Sequence, residues 1–114
     1  NTVCTHPHWG ESDKSAATRR LSEELGIINV ELKFRSKIEY RADVGNGLIE
    51  HELVSVFLGE VAPGFDVKIK PNPSEVMSTR WEKISMLKNE INRSPNRFTA
   101  WFKIYLNQHS NDIF

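Results

Sequence analysis

Two short motifs contain the side chains most able to do chemistry. The first holds Cys4 and His6 in NTVCTHPHWG, and the second holds Glu50 and Glu52 in LIEHELV, with His51 between them. In an extended segment, residues two apart point to the same side, so each pair is predicted to project together. An imidazole with two carboxylates suits a divalent ion such as Mn²⁺ or Mg²⁺. A thiol beside that ion could act as an acid or a base.

Each motif also has an ordinary structural interpretation. A lone Cys-x-His pair is more often structural than catalytic, and two acids on a strand can simply lie on a wet face. Here, however, Leu48, Val54 and Val56 continue the same even-numbered face as Glu50 and Glu52. Carboxylates within an apolar face repel each other and lose hydration unless a cation or a shared proton relieves them. This pattern favours a functional role for the two acids.

A third group of charged residues lies in GESDKSAATRRLSEELGI, on the side of a predicted helix opposite its alanine and leucine stripe. Arg19 with Glu23, and Arg20 with Glu24, have the spacing of four that forms ion pairs on a solvated helix face. Such pairs are worth only about 0.2 to 0.5 kcal/mol each. On spacing alone, the interpretation as surface ion pairs is therefore favoured over a functional one.

The elements that must position these residues indicate an α+β fold, with helices packed on the faces of a sheet. Alternating apolar residues and the glycines at 45 and 47 predict strands and a hairpin turn, while apolar spacings of three and four predict helices. Residues 1–10 are predicted to be the end of a strand that runs into a turn at Pro7 and Gly10. Further strands are predicted over 30–34, 37–42, 48–61 and a short segment ending near Trp81, and helices over 12–25, 84–91 and 97–107.

Composition limits the possible partners. The chain has 114 residues, enough for one domain, and its 15 basic residues balance 15 acidic ones. No overall field therefore attracts nucleic acid or an anionic membrane, which favours a small-molecule partner. One cysteine cannot form an internal disulfide, which is typical of a cytoplasmic protein, and no apolar run is long enough to span a bilayer. Because the chain starts at Asn1 within a chemically rich segment, we expect a domain that lacks its N-terminal elements.

Residues 5–27 resemble the Nudix box, which runs Gly, five residues, Glu, seven residues, Arg, Glu, an aliphatic, any residue, Glu, Glu, any residue, Gly and an aliphatic. The residues that fit their places are Glu11, Arg19, Leu21, Glu23, Glu24, Gly26 and Ile27. Thr5 stands in place of the first glycine, and Arg20 in place of a glutamate. In hydrolases of this family the helix carboxylates bind Mg²⁺ around a pyrophosphate. An arginine among them favours holding a diphosphate over cutting it.

The whole pattern is similar to type I isopentenyl-diphosphate isomerases, which have the Nudix fold. The matching segments, in the family's order, are NTVCTHP, GESDKSAATRRLSEELGI, IEYRADVGNGLIEHE, PNPSEVMSTRW and RFTAWF. The resemblance implies a single Nudix-like domain over residues 1–114, with a mixed β-sheet in an α/β/α sandwich. It also implies interconversion of isopentenyl and dimethylallyl diphosphate through a tertiary carbocation, for isoprenoid biosynthesis. The implied protein is a monomer or a weak dimer.

The resemblance also implies roles for individual residues. Cys4 and Glu52 match the catalytic cysteine and glutamate, and Tyr40 matches a tyrosine that supports the glutamate in proton transfer. Trp101 matches the tryptophan whose ring faces the carbocation.

The metal and diphosphate ligands are implied in the same way. His6, Glu50 and Glu52 correspond to ligands of an octahedral Mn²⁺ or Mg²⁺ site. Glu24 corresponds to the ligand of a Mg²⁺ that bridges to the diphosphate, and Arg20 to a cation that contacts the substrate. In the family, two more metal-binding histidines lie upstream of the cysteine, so we expect this piece alone to be nearly inactive.

Two other functions remain open. A Nudix hydrolase would use Glu23 and Glu24 and would not need Cys4. A catalytically inactive Nudix-fold module would bind a diphosphate without turnover. Replacing Cys4, and measuring binding separately from turnover, distinguishes the three.

Overall fold

A computed structural model describes residues 1–114 and contains α-helices together with one sheet of two strands. The elements in chain order are α1 Asp13–Leu25, β1 Leu32–Gly45, β2 Leu48–Gly59, α2 Ile84–Arg93, a short 3₁₀ helix Pro95–Arg97, α3 Ala100–Gln108 and α4 Ser110–Ile113. This composition confirms the predicted α+β class. The sheet has fewer strands than the mixed sheet that the resemblance implies. None of the helices is long and apolar enough to cross a bilayer.

The chain divides into two compact units, each with its own apolar core. Unit 1 comprises Asn1–Phe34 and Phe57–Arg80, and unit 2 comprises Arg35–Val56 and Trp81–Phe114. Residues of both strands contribute to each unit. The predicted site residues are therefore described within the unit that contains them.

Helix α1 begins and ends where the sequence predicts. The Ser12 hydroxyl accepts a hydrogen bond from the backbone N–H of Ser15 at 3.2 Å, which satisfies one of the unpaired amides of the first turn. Gly26 follows the last helical residue with φ of 64°, a left-handed conformation that glycine adopts at little cost. The predicted helix is confirmed.

The core of unit 1 forms where α1 packs against the residues that follow it and against residues at and after the end of β2. Its buried residues are Leu21, Leu25, Ile27 and Leu32, and partly buried side chains that surround them include Phe57, Val67, Ile69 and Val76. Residues 70–76, here named the docking segment, lie against the end of α1. The Lys70 N–H donates to the Leu25 carbonyl, and the Asn72 N–H donates to the Glu24 carbonyl, both at 2.8 Å.

The hairpin is confirmed, and its turn has a backbone conformation that most residues adopt only at a cost. Gly45, Asn46 and Gly47 all have positive φ, at 96°, 55° and 74°, and glycine and asparagine tolerate this conformation best. The two predicted segments 30–34 and 37–42 merge into the single strand β1. Strand β2 ends at Gly59, two residues before its predicted end.

The core of unit 2 lies on one face of the hairpin under the C-terminal helices. Its buried residues are Ile38, Tyr40, Ala42, Tyr105 and Ile113, with Val54, Val56, Ala100, Trp101 and Ile104 packed around them. The alternation at 38, 40 and 42 therefore marks the buried face, as predicted. Leu48, predicted to continue this face in β2, is instead 63% exposed, because it directly follows the hairpin turn.

Three other predictions about the elements are wrong. Residues 1–8 form no strand, and no strand ends near Trp81, because a strand requires a neighbour to pair with and the sheet contains only β1 and β2. The last long helix begins at Ala100 rather than Arg97. Pro95 starts a separate 3₁₀ turn, and the Thr99 hydroxyl accepts from the Phe102 N–H, which starts α3 there.

Candidate active site

The predicted thiol and imidazole lie in unit 1, on the irregular segment before α1. Cys4 and His6 are both exposed. A turn follows them, in which the Glu11 N–H donates to the His8 carbonyl at 2.9 Å and the His8 N–H donates to the Glu11 carboxylate at 3.0 Å. This reciprocal pair closes the segment immediately before α1. The expected strand geometry of Cys4 and His6 is absent, and their predicted roles stay predictions.

An ion pair ties this segment to α1. The Arg19 guanidinium donates through Nε to Glu11 Oε2 at 2.8 Å and through Nη2 to Glu11 Oε1 at 3.0 Å. The two side chains are only 24% and 17% exposed, and such two-point pairs are stronger than single contacts. The Arg19 contact, reinforced by the His8 N–H, lowers the pKa of Glu11 to about 2. Arg19 also contacts Glu23 at 3.2 Å, the predicted spacing-four pair.

Arg20 is surrounded by three carboxylates. Its Nη1 contacts Glu23 Oε2 at 2.6 Å, and its Nη2 contacts Glu75 Oε1 at 2.6 Å and Glu24 Oε1 at 3.2 Å. The bonds to Glu75 and Glu23 raise the pKa of Arg20 above its ordinary value. Hydrogen bonds from Arg20 and then Arg19 lower the pKa of Glu23.

Glu24 has an unpaired oxygen that fits a metal ion. Its Oε1 faces Arg20, but its Oε2 is buried and has no hydrogen-bond partner. An ionised oxygen removed from water without a partner is costly, and a hard divalent cation is the ligand that would relieve it. No three His, Cys, Asp or Glu side chains form a ready-made metal cage within either unit. Glu24 is therefore the residue of this cluster around Arg20 that would hold a divalent cation such as Mg²⁺.

Unit 2 contains the candidate proton-transfer residues. The Tyr40 hydroxyl donates a long hydrogen bond of 3.5 Å to Glu52 Oε2 and also interacts with Glu50. Burial of the phenol, then the Glu50 hydrogen bond and the charges of Glu52 and Glu50, raise the pKa of Tyr40. His51 points to the other face, where its Nε2 lies 2.8 Å from Glu39 Oε1. The two acids thus lie on the face opposite His51, as the alternation predicts, and the Tyr40 phenol interacts with both of them.

Trp101 lies in the same core cluster as Tyr40. It is partly buried on α3, one residue after the first residue of that helix. The Tyr40 ring itself packs edge-to-face on Tyr105, with ring centroids 5.9 Å apart and an angle of 84° between the planes. The phenol and the indole are therefore held by one apolar core, and Trp101 is only partly buried.

The predicted site residues are thus distributed over the two units. Unit 1 carries Cys4, His6, Arg20 and Glu24, and unit 2 carries Tyr40, Glu50, Glu52 and Trp101. The structure brings together Arg20 with Glu24, and Tyr40 with the two strand acids. The octahedral ligand set of His6, Glu50 and Glu52 draws on both units and stays a prediction.

Two residues next to the Arg20 and Glu24 pair were not among the predicted site residues. Asn72 and Glu75 lie in a segment that was predicted only as a loop and a short strand. Arg20 and Glu75 are 55 positions apart, so no local spacing links them. One local signal was available, because asparagine commonly bonds the backbone two residues on, and the Ser74 N–H does donate to Asn72 Oδ1 at 3.0 Å.

Comparisons with known proteins agree with these features. The family model described as NUDIX domain matches residues 1–102. The chain is 50% identical over all 114 residues to the isopentenyl-diphosphate Delta-isomerase of Rhodobacter capsulatus, of which it covers 64%. It is 52% identical to proteins of that name from Cereibacter sphaeroides and Dinoroseobacter shibae, covering 63% and 64% of them. The chain therefore spans slightly less than two thirds of the length of these relatives.

Proposed function

The chain belongs to the NUDIX domain family, and on that premise we propose that its protein interconverts isopentenyl diphosphate and dimethylallyl diphosphate. The observation that carries the proposal is the Arg20 guanidinium bonded to Glu23, Glu24 and Glu75. A diphosphate hydrolase of this family would use the helix carboxylates Glu23 and Glu24 for metal ions. Here a cation engages them, which suits a site that holds a diphosphate intact. Relatives that carry the isomerase name support the same assignment.

The diphosphate end of the substrate is assigned to unit 1. Arg20 supplies a fixed planar cation whose N–H groups match phosphate oxygens. The unpaired Oε2 of Glu24 would hold Mg²⁺, which neutralises diphosphate charge when bound. Because Glu24 and Arg20 contact each other, the same helix turn presents both groups to the ligand.

The proton-transfer chemistry is assigned to Cys4, Glu52 and Tyr40. Isomerisation adds a proton to the terminal carbon of the alkene, gives a tertiary cation at the adjacent carbon, and removes a proton from the carbon on its other side. Atoms balance, so one acid and one base suffice, and we assign these roles to Cys4 and Glu52 as a pair. Tyr40 keeps its proton because its pKa is raised, so it can donate to Glu52 and stabilise that carboxylate.

Trp101 is assigned to the cation. An indole face stabilises a desolvated cation by about 2 kcal/mol or more. The tertiary cation carries its charge on carbon and cannot accept a hydrogen bond, so an aromatic face is the appropriate partner. Trp101 is only partly buried where it packs against the unit 2 core, and this position supports the assignment.

The remaining assignments concern metal, assembly and location. His6, Glu50 and Glu52 are proposed as ligands of a second divalent ion, Mn²⁺ or Mg²⁺, which when bound would hold Glu52 in its charged form. The protein is proposed to act on a small prenyl diphosphate as a monomer or weak dimer. A cytoplasmic location is proposed because its single cysteine is exposed and must stay reduced to transfer protons.

The test uses the natural gene product that carries this chain, supplied with Mg²⁺ and Mn²⁺. Isopentenyl diphosphate should be converted to dimethylallyl diphosphate, and Cys4→Ala should abolish the conversion. The matched control His8→Ala changes an exposed side chain in the same segment and should leave the rate unchanged. Release of phosphate at an unchanged rate in Cys4→Ala would identify a hydrolase instead. Binding of the substrate without any product would identify an inactive binding module.

A further inference from the structure

A closed ring of polar contacts joins the docking segment to α1. The Asn72 N–H donates to the Glu24 carbonyl at 2.8 Å, and Asn72 Nδ2 donates to Glu75 Oε2 at 3.2 Å. Glu75 Oε1 accepts from Arg20 Nη2 at 2.6 Å, and the same nitrogen lies 3.2 Å from Glu24 Oε1. The ring therefore begins and ends at Glu24. Its four members include both residues assigned to the diphosphate.

Asn72 links the backbone of one of these residues to the side chain of the other. Its N–H fixes the carbonyl of Glu24, and its side chain fixes the carboxylate that holds Arg20. The Asn72 amide cannot rotate freely, since its Oδ1 accepts from the Ser74 N–H at 3.0 Å. The Glu75 and Val76 N–H groups both donate to the Asn72 carbonyl, at 3.0 and 2.8 Å. The turn that presents Glu75 to Arg20 is thus built on Asn72.

The ring is partly buried, and it fixes the Arg20 side chain before any ligand binds. The Arg20 and Glu24 side chains are each 20% exposed, so contacts there are less screened than on an open surface. A free arginine side chain has about 2 kcal/mol of rotamer entropy to lose when it binds a ligand. If the side chain is already ordered in the free protein, that cost is removed from binding. At most three of its five N–H groups are directed to Glu23, Glu75 and Glu24, so the guanidinium retains donors for an anion.

We propose that Asn72 and Glu75 are positioning residues, which hold Arg20 and Glu24 in the arrangement that binds the diphosphate group. The proposal rests on the proposed function, since it concerns the same diphosphate site. Neither residue touches the reacting carbon atoms. Their effect is therefore on the affinity for the diphosphate and much less on the chemical step.

The proposal can be tested by exchanging the hydrogen-bond donor and acceptor between Asn72 and Glu75. In Glu75→Gln, an amide NH₂ faces the Asn72 amide NH₂ and one negative charge is lost. In Asn72→Asp, a carboxylate faces the Glu75 carboxylate at the 3.2 Å contact. In the double variant, the new amide at position 75 can donate through its NH₂ to the new carboxylate at position 72. Its carbonyl oxygen still accepts from Arg20, and the net charge returns to its original value. If the single variants only damage the structure, their losses of affinity should add in the double variant. If the contact positions Arg20, the double variant should recover the affinity.

The measurements are calorimetric binding of inorganic pyrophosphate with Mg²⁺, and kcat and KM for isopentenyl diphosphate, in the natural gene product. Each single variant should raise the pyrophosphate Kd and KM about tenfold, the loss of one good contact to a charged group. Its kcat should stay within about threefold, and the double variant should return within about threefold of the parent Kd. Glu60→Gln, which removes an exposed charge from the same unit, is the matched control and should leave Kd unchanged.

Several results would overturn the proposal. These are an unchanged Kd in both single variants, a double variant that shows the combined loss, or a parent protein that does not bind pyrophosphate. Asn72→Ser loses the contact to Glu75 but keeps the N–H to Glu24, and the serine hydroxyl can replace Asn72 Oδ1 as the acceptor for the Ser74 N–H. This variant decides the matter if a charged variant fails to fold. Pyrophosphate binding also separates the two proposals. Restored binding in a protein without isomerase activity would refute the proposed function and support the positioning role.

Discussion

The Arg19 guanidinium binds the Glu11 carboxylate through two hydrogen bonds of 2.8 and 3.0 Å, across eight positions of the chain. Glu11 also accepts the N–H of His8. One carboxylate therefore orders the end of the segment that carries Cys4 and His6 and attaches it to α1. This relationship gives a pH dependence that can be measured.

We predict that Glu11→Gln lowers the free energy of unfolding at neutral pH and much less in acid. The folded pKa of Glu11 is lowered from its ordinary value of 4.5 to about 2. A lowered pKa stabilises the fold at pH values above 4.5, and this stabilisation disappears as the pH falls towards 2. Urea unfolding of the parent and variant should therefore differ at pH 7 and converge near pH 2. Glu60→Gln should show no such convergence, and a constant difference for Glu11→Gln would contradict the assignment.

Gly26→Ala should loosen the docking segment. At this position φ is 64°, and an added Cβ would lie 2.9 Å from both the Cβ and the carbonyl oxygen of Lys70. We expect a loss of about 1 to 3 kcal/mol in the free energy of unfolding, together with weaker pyrophosphate binding. Gly64→Ala has a similar φ of 81° but open space around the added atom, so it should show only the smaller backbone cost. Equal effects of the two variants would show that Lys70 is not held against α1.

Tyr40→Phe should lower kcat by about 10- to 100-fold, below the usual range for a direct acid or base because Tyr40 acts through Glu52. The phenol keeps its proton well above its ordinary pKa because it is buried beside Glu50 and Glu52. The pH profile of the parent enzyme should therefore show no ionisation of this tyrosine below pH about 10. Tyr105→Phe, in the same core, should leave kcat unchanged. A full rate in Tyr40→Phe would remove the phenol from proton transfer.

Trp101→Leu should lower kcat by about 30-fold, the equivalent of about 2 kcal/mol of lost cation stabilisation. Trp101→Phe retains an aromatic face and should lose much less. Circular dichroism of both variants checks that α3 stays folded. An equal loss in the two variants would mean that the side chain acts through its volume in the core and not through its ring.

Glu24→Gln should raise the stability of the metal-free protein while abolishing its response to Mg²⁺. The buried Oε2 has no partner, so removing its charge relieves a desolvation cost, and the amide oxygen can still accept from Arg20. In the parent protein, added Mg²⁺ with pyrophosphate should raise the urea midpoint by mass action. A Mg²⁺ response that survives in Glu24→Gln would place the ion elsewhere.

The predictions from sequence that succeeded concern residues close together in the chain. Ser12 and Gly26 bound α1, glycines flank the hairpin turn, and Ile38 and Tyr40 alternate into the core, because helix and strand geometry sets the positions of near neighbours. The ion pair of Arg20 with Glu24 follows from the same rule. The resemblance to isopentenyl-diphosphate isomerases was also visible in linear motifs.

The errors and omissions concern residues whose partners are distant. Residues 1–8 have the composition of a strand, yet no neighbouring strand pairs with them. Whether the Glu24 carboxylate is solvated or buried cannot be predicted from a helical spacing, because its Oε2 is buried only in the folded chain. Glu75 reaches Arg20 across 55 positions. Local sequence thus determined which groups α1 and the hairpin present, whereas the packing of distant segments decided which of those groups are desolvated, paired and fixed, since contacts of this kind exist only after the chain has folded.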